Sequence, residues 1–449
     1  MPARMRLAAC LGATLLLADR GLGFAGGQPG RPRAPARASR DGGEQDFEMS
    51  MLVASNMIGG GILAIPTVTA EPGFGPSSLA MLALWALSVG SGLCLADVSS
   101  AAVRDGDDDV SLRALTRGFL GDDGSAVVSA GYVATNVLLL AAYMAQGGAA
   151  LAGGLAGLGL DGGFEAPRLA FTCAIVAVVA VPSAAFQRKL DSLFILLMAV
   201  SFCAYAGAAL PATDLGDLFP AGAAAGGLAQ AVPVLASALV FQNIVPTIAQ
   251  RLGGDQARTR AAVVRGSLGP LLLYVLFDAC VLGHTPPDAV AQLARDGAHG
   301  LIDAAAGLPG AVAGRAATAL DVFTLAAISG SFVGALISQK QETADPGSAA
   351  SGVGAETKAL AVCLLPPLIV AVTSRDVFIP ALAFSGTYLN PLLFGVLPLA
   401  LQAQHLRRLA NEEAAESADV PGALPLGAAQ RMAPVLASKQ PRAKAPKRN

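Results

Sequence analysis

Three consecutive glycines, Gly59-Gly60-Gly61, sit within the apolar run from Met51 to Pro66, directly after Asn56, Met57 and Ile58. Each glycine weakens a helix by about 1 kcal/mol relative to alanine, so the run predicts an interruption. At membrane depth the freed N–H and C=O groups must face a cavity, a ligand or other protein. Close helix packing through small residues explains a glycine run equally well. A second interruption lies in Ser237-Ala238-Leu239-Val240-Phe241-Gln242-Asn243-Ile244-Val245-Pro246, where two amides and a proline break an otherwise apolar stretch. Broken helices at corresponding places in two halves of a chain point to a substrate site between them. The positive N-terminal ends of the half-helices suit a carboxylate, while carbonyls and the amides of Gln242 and Asn243 suit an ammonium group. An α-amino acid carries both groups.

Hydroxyls and carboxylates add to these candidates. Ser329 and Ser331 in the eighth apolar segment either reach a cavity or bond between helices. Asp97, Asp278 and Asp321 fall within or at the ends of apolar segments, where a charge is costly enough to make each a proton-coupling candidate. All three lie toward segment ends, so solvation at the membrane interface is the competing explanation. Asp278 is the first choice for a proton relay, since Gln242 cannot titrate.

The elements that must position these residues are membrane helices. Of 449 residues, 54% are apolar and 14% charged, against about a quarter charged in an average soluble domain. Apolar stretches long enough to cross a ~30 Å hydrocarbon layer recur from residue 50 to residue 404. Ten spans are expected, at about 50–70, 76–100, 125–156, 167–185, 190–211, 228–250, 263–284, 316–338, 358–373 and 377–404. With the start of the first span on the inner side, eleven Lys and Arg residues fall in inner loops, from Arg104 and Arg113 to Lys340 and Lys358. Only Arg168, Arg295, Arg315 and Arg375 fall on the other side, which fixes the orientation by charge bias.

The two ends of the chain differ from its middle. Residues 1–47 read as a targeting presequence: Arg4 and Arg6 precede an apolar run from Leu7 to Ala18, and then Phe24 leads a basic, acid-free stretch to Arg40. That order resembles the two-part presequences of algae with secondary plastids and predicts a plastid envelope destination; a plain secretory signal or a cytoplasmic tail are the alternatives. Residues 405–449 are polar, end in a basic cluster and are expected to be disordered.

The run from Ala54 to Pro66, the run from Phe241 to Pro246 and Leu252-Gly253-Gly254-Asp255 resemble the tryptophan/tyrosine permease family of aromatic amino acid transporters, especially its plant and algal branch. The resemblance spans residues 48–404. It implies an all-α, leucine-transporter-like core of two inverted five-helix repeats and proton-coupled uptake of tyrosine or tryptophan. On that likeness Asn56 to Gly61 and Phe241 to Ile244 line the substrate site. Two departures stand out: the family commonly has a histidine where this chain has Gln242, and the eleventh span of bacterial members is missing.

Other functions find little support. Three histidines, His284, His299 and His405, form no catalytic-metal motif, and no phosphate-binding loop of an ATP-driven pump occurs. The six cysteines are scattered singly, so no metal, cofactor or disulfide framework is expected. A net charge of −2 without a basic stripe gives no reason to expect nucleic acid. A transport-inactive amino acid sensor of the same fold remains compatible with the sequence, as does, less readily, an intramembrane enzyme. The expected partners are an amino acid, a coupling cation and the bilayer, with no protein partner indicated.

Overall fold

The computed structural model describes residues 41–419 apart from 108, 157–164, 181–183, 220–225, 287–288, 290–291, 294–299, 302–303, 306, 311, 344–352 and 375. Most of the expected presequence and the end of the tail lie outside the described residues.

Among the described residues the architecture is helical throughout. The first helix, α1 (Asp41–Met57), is followed by a 3-10 turn at Gly60–Ala64 and α2 (Ile65–Thr69). Then come α3 (Phe74–Asp105), α4 (Leu112–Ala156), α5 (Glu165–Val179) and α6 (Ala184–Ala209). A second interrupted element follows: α7 (Leu228–Ala238), a 3-10 turn at Gln242–Ile244 and α8 (Val245–Arg251). Next are α9 (Gln256–Leu282), α10 (Val312–Thr343), α11 (Val353–Thr373) and α12 (Phe378–Phe384). Two π-helical stretches, Ser385–Leu389 and Pro391–Val396, lead into α13 (Leu397–Asp419).

Six of these elements are long and apolar enough to cross a membrane, and up to eight if each bent pair is one span. The two expected spans not counted fall at α5, of which Glu165–Val179 is described, and at α11, where Cys363–Thr373 counts as a shorter apolar helix among the described residues. Large apolar side chains point outward, among them Leu79, Leu87, Leu272 and Tyr388, each more than half exposed. So many large apolar side chains facing outward suit a lipid surrounding.

Packing pairs the helices in a regular way. Helix α10 packs on α6, α4, α5 and α11, and α4 packs on α5, α11 and α12. Helix α9 packs on α1, α3 and α6, while α3 also packs on α8 and α13. Small residues permit the closest approaches: a side chain at Gly266 of α9 would run into the backbone of Ser50 on α1.

Polar residues join α1, α8 and α9 where the helix ends carry charge. Residues 41–47, expected as the end of the presequence, instead form the first turns of α1, where Asp46 pairs with Arg258 at 2.6 Å and Gln45 bonds to the Arg251 carbonyl and the Arg258 guanidinium. At the other end, residues 405–419 continue α13 as helix, because the polar sequence after His405 still holds good helix formers such as Leu406, Arg407 and Glu412. Between α8 and α9, Gly253 and Gly254 take left-handed backbone (φ +64° and +78°) that ends one helix, and Asp255 caps the next by accepting from the Arg258 N–H at 3.0 Å. The Leu252-Gly253-Gly254-Asp255 motif is thus a helix-stop and helix-start signal.

Candidate functional site

The two interruptions meet. Helix α1 stops at Met57, Gly59 is extended (φ −144°, ψ −165°), and the chain resumes as a 3-10 turn at Gly60 with a bend of 45° between the halves. In the other element, α7 stops at Ala238 and the chain resumes at Gln242, but Leu228–Arg251 stays straight enough to count as one span. Asn56 and Asn243 face one another across the gap: Asn56 Nδ2 donates to Asn243 Oδ1 at 2.9 Å, and Asn243 Nδ2 donates back to Asn56 Oδ1 at 3.2 Å. Both residues are only half-buried.

Two tyrosines and a serine from the surrounding helices complete the arrangement. The fully buried Tyr274 of α9 has its hydroxyl within hydrogen-bonding reach of the Met57 carbonyl and, at 3.2 Å, of the Ala238 carbonyl, the last residues before each break. The Gly60 N–H donates to Ser331 Oγ of α10 at 2.8 Å, and that hydroxyl donates to the Ala327 carbonyl. Tyr143 of α4 lays its ring against Gly60 and directs its hydroxyl at Ser331.

The glycines work by close approach. A Cβ on Gly59 would meet Ser331 Oγ at 2.7 Å, one on Gly60 would meet the Tyr143 ring at 2.7 Å, and one on Gly61 would meet Ala238 of α7 at 3.1 Å. The triple glycine therefore packs against three neighbours at once; Gly60 and Gly61 are buried, while Asn56, Ile58 and Gly59 are half-buried.

The Phe241 to Ile244 motif also divides. Phe241 is fully buried, with its ring against Gly92 of α3. Gln242 turns the same way: its Nε2 reaches Ser91 Oγ at 3.0 Å and the Ser88 carbonyl at 3.3 Å, while its Oε1 accepts from the Phe241 N–H. Gln242 is thus engaged by α3, and only Asn243 of the two amides looks across to the first break. Ile244 is buried. Ser329 is buried on α10, two residues and so about 200° around the helix from Ser331.

The three aspartates separate clearly. Asp97 pairs with Arg260 at 2.9 Å and accepts from Gln256 at 2.7 Å and Gln402 at 3.4 Å, which ties α3, α9 and α13 together. Asp321 is half-buried on α10, ten residues or roughly 15 Å along the helix from Ser331. Asp278 is fully buried on α9, one turn from Tyr274, and bonds to Thr69 of α2 at 2.6 Å. The interfacial-solvation reading of Asp278 is therefore overturned: α2 bends over the end of α9 and covers it. Beyond the span, His284 sits between the Cys280 and Ala304 carbonyls, and burial lowers its pKa below the usual histidine value despite those acceptors. Among the described residues no three His, Cys, Asp or Glu side chains gather as a metal site would require.

Residues 44–418 match the tryptophan/tyrosine permease family. The chain belongs to that family. Its relatives include the "Tyrosine-specific transport system 1" of Haemophilus influenzae, 26% identical over 365 residues, covering 81% of this chain and 88% of that protein. The "Low affinity tryptophan permease" of Escherichia coli K12 is 23% identical over 359 residues, covering 75% of this chain and 81% of the other. A "Tryptophan-specific transport protein" of Haemophilus influenzae is 25% identical over 357 residues, covering 75% and 82%. The chain is thus a multi-spanning membrane transporter related to aromatic amino acid permeases.

Sequence reasoning missed Tyr143, Tyr274, Ser91 and Thr69. A signal existed for the tyrosines: the chain has only five, and a hydroxyl carried deep into an apolar segment needs a partner.

Proposed function

We propose that the protein is a secondary active transporter of tyrosine or tryptophan, driven by protons and built as a leucine-transporter-like fold of ten spans in two inverted repeats of five. The observation that carries the substrate reading is the meeting of two broken helices at the reciprocal Asn56–Asn243 pair. Two helix C-terminal ends and two N-terminal ends converge there, offering carbonyls to an ammonium group and N–H groups to a carboxylate. Asn56, Asn243, Tyr143, Tyr274 and Ser331 are all uncharged, which suits a ligand of zero net charge such as a zwitterion. The relatives' names supply the aromatic class.

The pairwise packing supports the repeat. If the broken α1–α2 element and α3 to α6 form one half, and the broken α7–α8 element and α9 to the tenth span form the other, contacts recur in equivalent pairs. Helix α6 on α10 corresponds to α12 on α4, α4 on α5 to α10 on α11, α1 on α9 to α7 on α3, and α2 on α9 to α8 on α3. Asp278 is the coupling carboxylate in this reading, since Asp97 is already held by Arg260. Uptake of labelled tyrosine and tryptophan by purified protein in liposomes tests the function. Accumulation should follow an imposed pH gradient, and failure to move any amino acid would leave a sensor as the better reading.

The plant and algal branch rests on the likeness of the Ala54–Pro66, Phe241–Pro246 and Leu252–Asp255 motifs, and a plastid envelope location on residues 1–47. A fluorescent reporter fused to them should enter the plastid of an alga with a secondary plastid. Secretion of the reporter would refute the location.

A further inference from the structure

Thr69 ends α2, and its single hydroxyl faces two acceptors: Asp278 Oδ1 at 2.6 Å and the Ile65 carbonyl at 2.8 Å. Both side chains are fully buried, and Asp278 Oδ2 has no hydrogen-bond partner. One hydrogen cannot serve both acceptors. An ionised Asp278 would therefore compete with the Ile65 carbonyl for that hydrogen and hold at best one hydrogen bond in an enclosed apolar place, an arrangement that a buried charge does not tolerate without water or a cation beside it. A proton on Oδ1 resolves the chain. The carboxyl then donates to Thr69 Oγ1, and Thr69 donates to Ile65.

The spacing also distinguishes a proton from a metal cation. Cations hold several oxygens at roughly 2.0–2.6 Å from their own centre, which spreads the ligands apart. Two oxygens only 2.6 Å apart leave room between them for a hydrogen alone. Asp278 makes no ion pair among the described residues. The titratable groups at this end of the elements packed on α9 are Tyr274, Cys280 and His284 on α9 itself, Tyr205 of α6, Glu71 after α2 and Asp214 beside Gly283. The acids of α1 and Arg251 of α8 lie at the inner ends, and the outer part of α3 carries none.

We propose that Thr69 and Asp278 form a proton-operated latch on the outer half of the first span, in which the neutral carboxyl holds α2 against α9 and the ionised one releases it. Thr69 is a positioning residue for Asp278. Closing the latch takes one proton from outer water onto the carboxylate, and no other bond is made or broken. Because α2 continues directly from Gly60 and the 3-10 turn, the latch ties proton loading to closure of the outer side of the site. This inference rests on the transport reading above and names how the coupling residue would act on the site.

The test uses the full chain in liposomes, with tyrosine uptake measured against external pH. Thr69→Val should move the pH of half-maximal uptake toward acid by about one unit, tenfold in proton concentration, because the carboxyl loses the acceptor that favours its protonated form. Thr69→Ser should restore the original profile. Asp278→Asn should flatten the pH dependence altogether. A Thr69→Val protein that is slower at every pH, with the midpoint unmoved, would make Thr69 a packing residue and overturn the latch. Undiminished pH-driven accumulation by Asp278→Asn would overturn the coupling role of Asp278 as well, whereas absence of amino acid transport by the unaltered chain would overturn the function itself.

Discussion

Gly60→Leu should sharply reduce amino acid uptake while the protein still inserts in the membrane at normal levels. The first added carbon would stand 2.7 Å from the Tyr143 ring and 3.7 Å from Ile328, with three more carbons to place beyond it. Tyr143 would have to swing away from Ser331, which in turn holds the Gly60 N–H across the break. Overpacking of this kind costs about 1–3 kcal/mol or more. Each 1.4 kcal/mol added to a transport barrier is tenfold in rate, so a fall of about five- to more than a hundredfold follows. Insertion should survive, because leucine raises the hydrophobicity of the span. Uptake per inserted molecule is the measurement, and uptake equal to the parent's would sink the placement of Gly60 at the centre of the site.

Gly386→Ala, in the π-helical stretch Ser385–Leu389, should have the largest effect on assembly. Its Cβ would fall inside the van der Waals envelope of the Pro233 carbonyl oxygen and crowd Ser237 Oγ at 2.7 Å. Backbone stands on both sides of this contact, so no rotamer change relieves it. The surrounding polar network depends on the same approach: Asn390 Nδ2 donates to Ser237 Oγ at 3.0 Å, Ser237 donates to the Leu382 carbonyl at 2.7 Å, and Ser385 donates to Asn390 Oδ1 at 3.2 Å. Prying the helices apart would expose all of these groups to an apolar setting. Loss of monodisperse protein in detergent, or a clearly lower thermal midpoint, is the expected result. Gly90→Ala serves as the control, because nothing lies within 4 Å of the Cβ it would gain. Equal midpoints for the two variants would contradict the close packing at Gly386.

The candidate site was partly legible. Interruptions at Gly59–Gly61 and at Phe241–Asn243 stand out because glycine runs and paired amides are rare in apolar helices, and the structure does bring the two breaks together. Which side chains face the gap was not legible. Gln242 and Asn243 are adjacent in sequence, but a 3-10 turn separates them by about 120° of rotation, which sends one to Ser91 of α3 and the other to Asn56. Asp97 and Asp278 likewise read alike, as single acids near the ends of apolar segments. An arginine one turn into α9 neutralises the first, whereas the bend of α2 encloses the second.

By itself the sequence determined the membrane setting, the helical class, the two breaks and the family, since all follow from local composition and motif: how apolar each stretch is, where glycine and proline weaken it, and which residues recur in order. Tertiary structure decided what depends on contacts between distant segments. It assigned the glycines to close packing, Tyr274 to both breaks at once, and Thr69 to Asp278, 209 residues away along the chain. Bending is the physical reason for the last of these. A straight first span would leave the end of α9 open to the membrane surface, and the 45° turn at the glycines lays α2 across it.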